Sequence, residues 1–422
     1  MTTQLHVGPR SEQPLQPVAP LPSRVDIAVV GAGILGLAVA REFLRRRPDL
    51  QIAILEREGE VASHQTAHNS GVLHAGLYYA PGSLKARLTR EGKVAMEAYA
   101  DQRGIAYQRC GKLVVALDDS ELDALAALAR RAGENGVPGL ESVGPERIRE
   151  IEPHVKAVQG LWSPGTGIID YAAVSRAFAR DIQDAGGTIH LGHEVRSITP
   201  RPGGLVVASS QGEVLAGRVI ACAGLWSDRV AAMSGTAGSE RIIPFRGDYY
   251  TLSPDAATLV RGLIYPVPDP RFPFLGVHFT RRIDGEVWAG PNAVLAFART
   301  GYRRRDVNVH DLAGVLASRG FLRLARRTWR TGASEMWRDW YKPAFVAELQ
   351  RFIPALQPDQ LTFGPSGIRA QAVDLEGRLV DDFRFRGSDR VLNVVNAPSP
   401  AATASIAIGV EVVDRAIRQF GI

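Results

Sequence analysis

The sequence predicts an α/β protein of two domains, a Rossmann-like domain on a parallel sheet and a second domain on an antiparallel sheet. Three observations carry that expectation. The chain has 422 residues, more than one ordinary core accommodates. Residues 25–56 read in order as strand, glycine-rich turn, helix and strand. Segments such as Lys112–Leu117 and Gly247–Leu252 combine aromatic and β-branched residues as antiparallel strands do. Hydrophobic residues at 45% and charged residues at 22% are globular proportions.

Residues 1–24 are polar and carry Pro9, Pro14, Pro17, Pro20 and Pro22. They lack the apolar stretch of a secretory signal and are expected to be a disordered tail. Val25–Val30 is a short β-branched run, expected as a buried parallel strand. Gly31-Ala32-Gly33-Ile34-Leu35-Gly36 follows. Gly31 allows a tight turn, Gly33 lets backbone approach a pyrophosphate, and Gly36 lets the next helix pack on the strand. That helix, Leu37–Arg46, directs the free N–H groups around Ile34 and its positive dipole end at phosphate. A second strand, Gln51–Leu55, ends in Glu56 and Arg57. Glu56 lies 20 residues beyond Gly36, where a carboxylate reaches ribose hydroxyls. The apolar stretch Ile27–Ala40 is too short to span a membrane. With strand, helix, second strand and acid in register, the glycines read as a dinucleotide site rather than an empty turn.

A nicotinamide enzyme would continue with strand, helix and strand. Here the chain instead enters Val61–Tyr79, a stretch without a predicted strand, and residues 66–79 read TAHNSGVLHAGLYY. A loop of this kind suits an extended FAD. His68, Asn69 and Ser70 are placed to bond the pyrophosphate, and Gly71 and Gly76 permit close backbone approach.

At this point the chain resembles the FAD-dependent oxidoreductases of the D-amino-acid oxidase type, and within them the L-2-hydroxyglutarate dehydrogenase/oxidase family. The resemblance rests on His68–Tyr79, Pro244–Tyr250 (PFRGDYY), Tyr265–Pro270 (YPVPDP), Phe274–Arg281 (FLGVHFTR), Gly290–Leu295 (GPNAVL), Gly367–Asp374 (GIRAQAVD) and Asn393–Ala402 (NVVNAPSPAA). It covers Val25 to the C-terminus. The family pattern often has Glu where Asp248 stands, a change that keeps the carboxylate.

The resemblance implies an FAD-binding domain discontinuous in sequence, residues 25–88, 169–239 and 362–422, with a substrate domain of residues 89–168 and 240–361. Helix Ala172–Ala185, strands Thr188–Leu191, Glu194–Ile198, Val219–Ala223 and Val391–Val395, and helix Ala401–Phe420 are expected to complete the first. Glu121–Glu134 reads as a structural Ala/Leu-rich helix. In this type of fold the backbone of Val195 meets the adenine edge, and Ala223-Gly224 makes a second approach to the cofactor. Asn396, Pro398 and Ser399 would lie at the flavin, with Ser399 capping the last helix. The positive end of that helix would stabilise the reduced, anionic ring.

Oxidation of an α-hydroxy acid requires its carboxylate held so that C2–H points at flavin N5, an acceptor for the hydroxyl proton, and donors for the charge of the reduced flavin. Arg369 is expected to hold the carboxylate with two parallel bonds. Its Gly-Ile-Arg setting resembles the Gly-x-Arg of amino-acid-oxidising relatives; a surface salt bridge is the alternative. His74 and His278 are the contenders for the base, each with an unperturbed pKa of roughly 6.5. Either is alternatively a flavin-orienting or structural histidine, and a covalent flavin link through His74 is a further alternative. His190 and His193 read as structural. Strand alternation lets only one of Tyr249 and Tyr250 face the site, and Tyr249 or Arg246 would bind a distal carboxylate.

The net charge of +6 and sequence pI of about 9.5 suit an anionic substrate or a membrane surface. No zinc spacing, RNA-recognition motif or basic zipper supports a nucleic-acid partner, and no metal-ligand spacing is present. Cys110 and Cys222 alone form no disulfide framework, so a reducing, cytoplasmic setting is expected. Residues 319–342 hold six Arg and one Lys among Trp329, Trp337 and Trp340. This segment is expected either to lie peripherally on the inner face of the cell membrane, which suits a quinone acceptor, or to be a solvated helix pair. The leading reading is FAD-dependent oxidation of L-2-hydroxyglutarate to 2-oxoglutarate, with electrons passed to a quinone or oxygen. The alternative is an amine or amino acid oxidase of the glycine or sarcosine oxidase type.

Overall fold

The computed structural model describes residues 20–268 and 276–422. Most of the expected N-terminal tail lies outside the described residues, as do Asp269, Pro270, Phe274 and Leu275 of the quoted motifs.

The first sheet has eight strands among the described residues. Its centre is parallel: Arg24–Val30 pairs with Ile52–Leu55 on one side and Gly212–Ala221 on the other. Thr188–His190 adds beside Ile52–Leu55, and Val391–Asn396 beside Gly212–Ala221, both parallel. Arg384–Ser388 lies antiparallel at the far edge, while Val195–Arg201 and Gly204–Ser209 form an antiparallel extension. The central strands are buried on both faces, which is why they read as continuous apolar runs. One face carries helices Ile34–Arg46, Tyr171–Asp184, Ser405–Phe420 and Leu84–Arg103, whose Leu37, Phe43, Phe178, Ile408, Val412 and Met96 share one core. Local signals set the ends of these helices. Asp170 caps Tyr171–Asp184 through the N–H of Ala172, Ser83 caps Leu84–Arg103 through that of Ala86, and Gly104 ends the latter at φ 64°.

The second sheet has nine strands among the described residues, all antiparallel to their neighbours except Leu263–Pro266 against Lys112–Ala116. Arg241–Leu252 and Leu361–Val373 form its longest pair. A third, small sheet joins Val72–Leu73, Gly167–Ile169 and Tyr107–Gln108.

Four expectations change. The 88/89 boundary falls inside helix Leu84–Arg103, whose Leu88, Tyr99 and Ala100 belong to the core of the first sheet. The boundary at 362 also moves, because Leu361–Val373 hydrogen-bonds along Arg241–Leu252 and so belongs to the second sheet. The loop Val61–Tyr79 contains the short strand Val72–Leu73. The last helix begins at Ser405 with Ala404 at its N-cap, so Ser399 is not its cap: residues 401–404 are turns after Pro400.

Candidate active site

A cavity of about 490 Å³ is lined from both sheets. At one end stand the glycines. Gly31 has φ 101°, and a Cβ there would lie 2.7 Å from the Cys222 carbonyl oxygen. A Cβ on Gly36 would lie 1.9 Å from the carbonyl oxygen of Gly31. Gly36 therefore serves helix–strand packing and does not line the cavity. Gly33 does line it, and a Cβ there would meet only Thr66 Oγ1 at 3.6 Å. The space above Gly33 is what a pyrophosphate needs. The N–H of Ile34 donates to Thr66 Oγ1 at 3.2 Å. Glu56 is buried and lines the cavity; its carboxylate accepts from the N–H of Ala32 at 2.7 Å and of Glu58 at 3.0 Å. The acid thus braces the glycine turn while lining the cavity. Arg57 stacks 4.1 Å above the Trp226 ring and pairs with Glu58 and Glu194. Val195, Ala223, Gly224 and His193 line the same end; His190 lies behind, edge-on to His193.

The loop after Glu56 divides its work. His68 lines the cavity, stacks on Tyr302 at 4.1 Å and, through Nδ1, donates to the Ser366 carbonyl at 3.2 Å; burial lowers its pKa. Asn69 also lines the cavity, but its amide donates to the carbonyls of Gln65 and Thr66 and its oxygen accepts from Gly71 N–H. Its side chain therefore orders the loop rather than standing free for pyrophosphate. Ser70 lines the cavity. Gly71, at φ 71°, is not in the lining: a Cβ there would lie 2.9 Å from the carbonyl oxygen of Ile169, so it serves the crossing of the loop over that strand.

At the other end, His74, His278, Arg369, Tyr249 and Tyr265 line one region. The pKa of His74 falls well below the usual histidine value through burial, then the charges of Lys112, His278, Lys85 and Arg369. His278 is buried and its ring stacks on Tyr265. Its Nδ1 lies 2.9 Å from the Gly276 carbonyl. A carbonyl only accepts, so Nδ1 carries the proton and Nε2 keeps a lone pair. Burial, outweighing that hydrogen bond, and the charges of Lys112 and Arg369 bring His278 to about 3. Arg369 faces the cavity yet sits deep enough that desolvation lowers its pKa. Tyr250 points away, against Phe345 and Phe363.

Arg246 lines the cavity but is already engaged. Its Nε donates to Asp248 at 2.9 Å, and its Nη2 lies 3.4 Å from Asp339. Arg304 contacts the same two acids at 3.3 Å. Burial, then the neighbouring Asp339, raises Asp248 to about 6. This neutralised cluster is a structural tie rather than a free anchor for a distal carboxylate. Asn396 lines the cavity while its amide holds the carbonyls of Val380 and Asp382. Ser399 lines it too; Pro398 does not. Sequence reasoning missed Tyr171 and Thr403, whose hydroxyls meet at 2.6 Å beside the Val72 carbonyl and whose Thr403 oxygen accepts the His74 N–H. No local pattern marks a pair so distant in sequence. Among the described residues no cluster of His, Cys, Asp or Glu is arranged for a metal.

Comparison with known proteins places this geometry. A family model described as FAD dependent oxidoreductase matches residues 26–415. The chain is 47% identical over 414 residues to an L-2-hydroxyglutarate dehydrogenase, mitochondrial, of Nematostella vectensis, covering 94% of this chain and 91% of that protein. It is 45% identical to the Homo sapiens protein of the same name, covering 94% and 90%. The Escherichia coli L-2-hydroxyglutarate dehydrogenase is 43% identical, covering 92% of each. Among solved structures, an FAD-bound L-alpha-glycerophosphate oxidase from Mycoplasma pneumoniae superposes with a TM-score of 0.76 at 21% identity, covering 94% of this chain and 95% of that one. A glycine oxidase from Geobacillus kaustophilus gives 0.72 at 19%, with the same coverage. At such identities these two speak for the fold alone.

Proposed function

Because the chain belongs to the FAD-dependent oxidoreductases, and within them to the L-2-hydroxyglutarate dehydrogenases, we propose that it oxidises L-2-hydroxyglutarate to 2-oxoglutarate. FAD is the cofactor, and when bound it supplies the two-electron acceptor for the hydride leaving C2. The chain's own residues do the rest. Gly33 and the N-terminus of helix Ile34–Arg46 receive the pyrophosphate. Arg369 binds the carboxylate next to the reacting carbon and orients C2. His278 accepts the hydroxyl proton at Nε2, while His74, held at its backbone by Thr403, orients the ring systems.

The observation that carries this assignment is the His278 Nδ1–Gly276 contact, which leaves Nε2 as the acceptor in a ring that lines the cavity. Arg369 and Lys112 help to hold that histidine low, and a bound carboxylate offsets their charge. Substrate binding thereby raises the basicity of the group that needs it. Anaerobic addition of L-2-hydroxyglutarate to the yellow protein tests the reading: the flavin should bleach. Bleaching by the D-enantiomer, glycine or sarcosine alone would sink it.

The acceptor side rests on a second observation. Helix Arg319–Trp340 exposes Trp329, Trp337 and Trp340 by 62%, 61% and 69% of their surfaces, among six arginines. Aromatic rings and cations on one exposed helix suit an anionic membrane interface. In this proposal the helix lies on the inner face of the cell membrane and electrons leave to a quinone, or more slowly to oxygen. Flotation with anionic liposomes should recover the wild type and lose a Trp329/Trp337/Trp340 triple Ala variant; equal recovery removes these residues as an anchor.

A further inference from the structure

Lys112 opens the strand Lys112–Ala116, paired with Leu263 on one side and Ser163 on the other. Its side chain is among the largest fully buried ones, only 1% exposed. Its Nζ lies 3.9 Å from the centre of the Tyr265 ring and 5.2 Å from that of Tyr78. Its ammonium faces these two rings, and no carboxylate among the described residues pairs with it. A cation–π contact offsets only part of the cost of burying an ammonium. Tyr265 itself lines the cavity and stacks on His278 at 3.8 Å. The charges of Lys112 and Arg369 both act on His74 and His278. Both histidines therefore stand in the field of Lys112 and Arg369, and His74 also in that of Lys85.

The geometry points to Lys112 as a specificity-determining positioning residue, an ammonium behind Tyr265 and His278 that favours a substrate with a second carboxylate over a monocarboxylate. The inference rests on the proposed oxidation of L-2-hydroxyglutarate and deepens it. A fixed positive charge attracts a dianion about twice as strongly as a monoanion at equal distance. Substrate charge in turn compensates an ammonium that the apolar layer of Val114, Leu263 and Leu77 leaves unmatched. Burial brings Lys112 to about 7, so the field it exerts weakens as pH rises past neutrality. The titratable groups facing it are Cys110, Tyr78, Tyr265, His74 and His278. Of these, burial pushes the Cys110 thiol up to about 12, and the two histidines are already neutral.

The test uses FAD-loaded wild type, Lys112→Met and Lys112→Arg, with calorimetric affinities for glutarate and for butanoate, which has one carboxylate fewer. Lys112→Met should weaken glutarate about tenfold and butanoate less than about threefold, with Lys112→Arg restoring most of the difference. In the wild type the preference for glutarate should decline between about pH 6 and pH 9, and in Lys112→Met it should be flat. Equal weakening of both acids, or a wild-type preference unchanged by pH, overturns the inference. The wild-type pH series decides alone if Lys112→Met does not load FAD. Flavin bleaching by L-2-hydroxyglutarate with equal weakening refutes the role of Lys112 only; absence of bleaching refutes the parent reading.

Discussion

The rings of Tyr265 and His278 stack with centroids 3.8 Å apart and planes 22° from parallel. The contact joins strands Leu263–Pro266 and His278–Arg281, which are neighbours in the second sheet. It clamps a ring whose Nδ1 is committed to the Gly276 carbonyl, so the orientation of Nε2 is set by two contacts at right angles, one on the ring face and one in its plane.

A consequence is pH-dependent stability. His278 titrates at about 3 in the folded chain against roughly 6.5 unfolded. Between those values the unfolded state binds more protons, so stability falls as pH drops below about 6.5 and continues to fall towards about 3. His278→Asn should remove that contribution, on the order of 1–2 kcal/mol at about pH 5. Urea midpoints measured from pH 7 downwards should decline less steeply in the variant than in the wild type; parallel curves would contradict the buried neutral ring.

The glycines separate packing from ligand approach. Gly36→Ala puts a methyl 1.9 Å from backbone and should prevent stable folding. Gly33→Ala meets only a side-chain hydroxyl at 3.6 Å, so the protein should fold with a nearly unchanged melting temperature in the absence of FAD. It should nevertheless bind FAD about tenfold or more weakly, because the methyl enters the pyrophosphate's approach. Fluorescence titration of apoprotein with FAD measures this, and wild-type affinity would place the phosphates elsewhere.

Arg246 balances two buried carboxylates. Arg246→Met should destabilise by about 3–5 kcal/mol, since it leaves Asp248 and Asp339 with the partly exposed Arg304 as their cation and the Asn292 amide on Asp339. Adding Asp248→Asn should recover part of the loss by removing one of the like charges. Chemical denaturation of the single and double variants checks both; additive losses would mean that the acids do not share the arginine.

Arg369→Ala should raise KM for L-2-hydroxyglutarate about a hundredfold while FAD content stays unchanged, because a charge-assisted bidentate contact is lost. Arg369→Lys should recover only part, as a point charge cannot supply two parallel bonds. Steady-state kinetics with flavin absorbance as the loading control reads both numbers, and an unchanged KM removes Arg369 from the carboxylate.

Much of the nucleotide end was legible because its signals are local. The β-branched run Val25–Val30, three spaced glycines and Glu56 each have a meaning set by nearest neighbours. Gly36 packs the helix on the strand as its spacing implies, whereas Gly71 has a less direct role than its position suggests, since the backbone it must clear, at Ile169, appears only in three dimensions. Ser399 reads as a cap in sequence, yet the helix waits until Ser405. The residue before a proline avoids helical backbone, and residues 401–404 still turn, the first three of them along the cavity wall.

From sequence alone came the α/β class, the dinucleotide turn, the flavin-directed loop and a short roster containing His74, His278 and Arg369. Periodicity and glycine spacing encode the first three over a few residues each, while the roster follows from the resemblance of its motifs to the FAD-dependent family. Only the tertiary structure decided that Arg246 is neutralised by Asp339, that Asn69 is spent on its own loop, that Leu361–Val373 joins the second sheet, and that Lys112 lies buried against Tyr265. Those facts depend on charge pairing, hydrogen-bond satisfaction and burial between segments tens to hundreds of residues apart. No local pattern records such pairings, because they arise only when packing brings the partners out of water together.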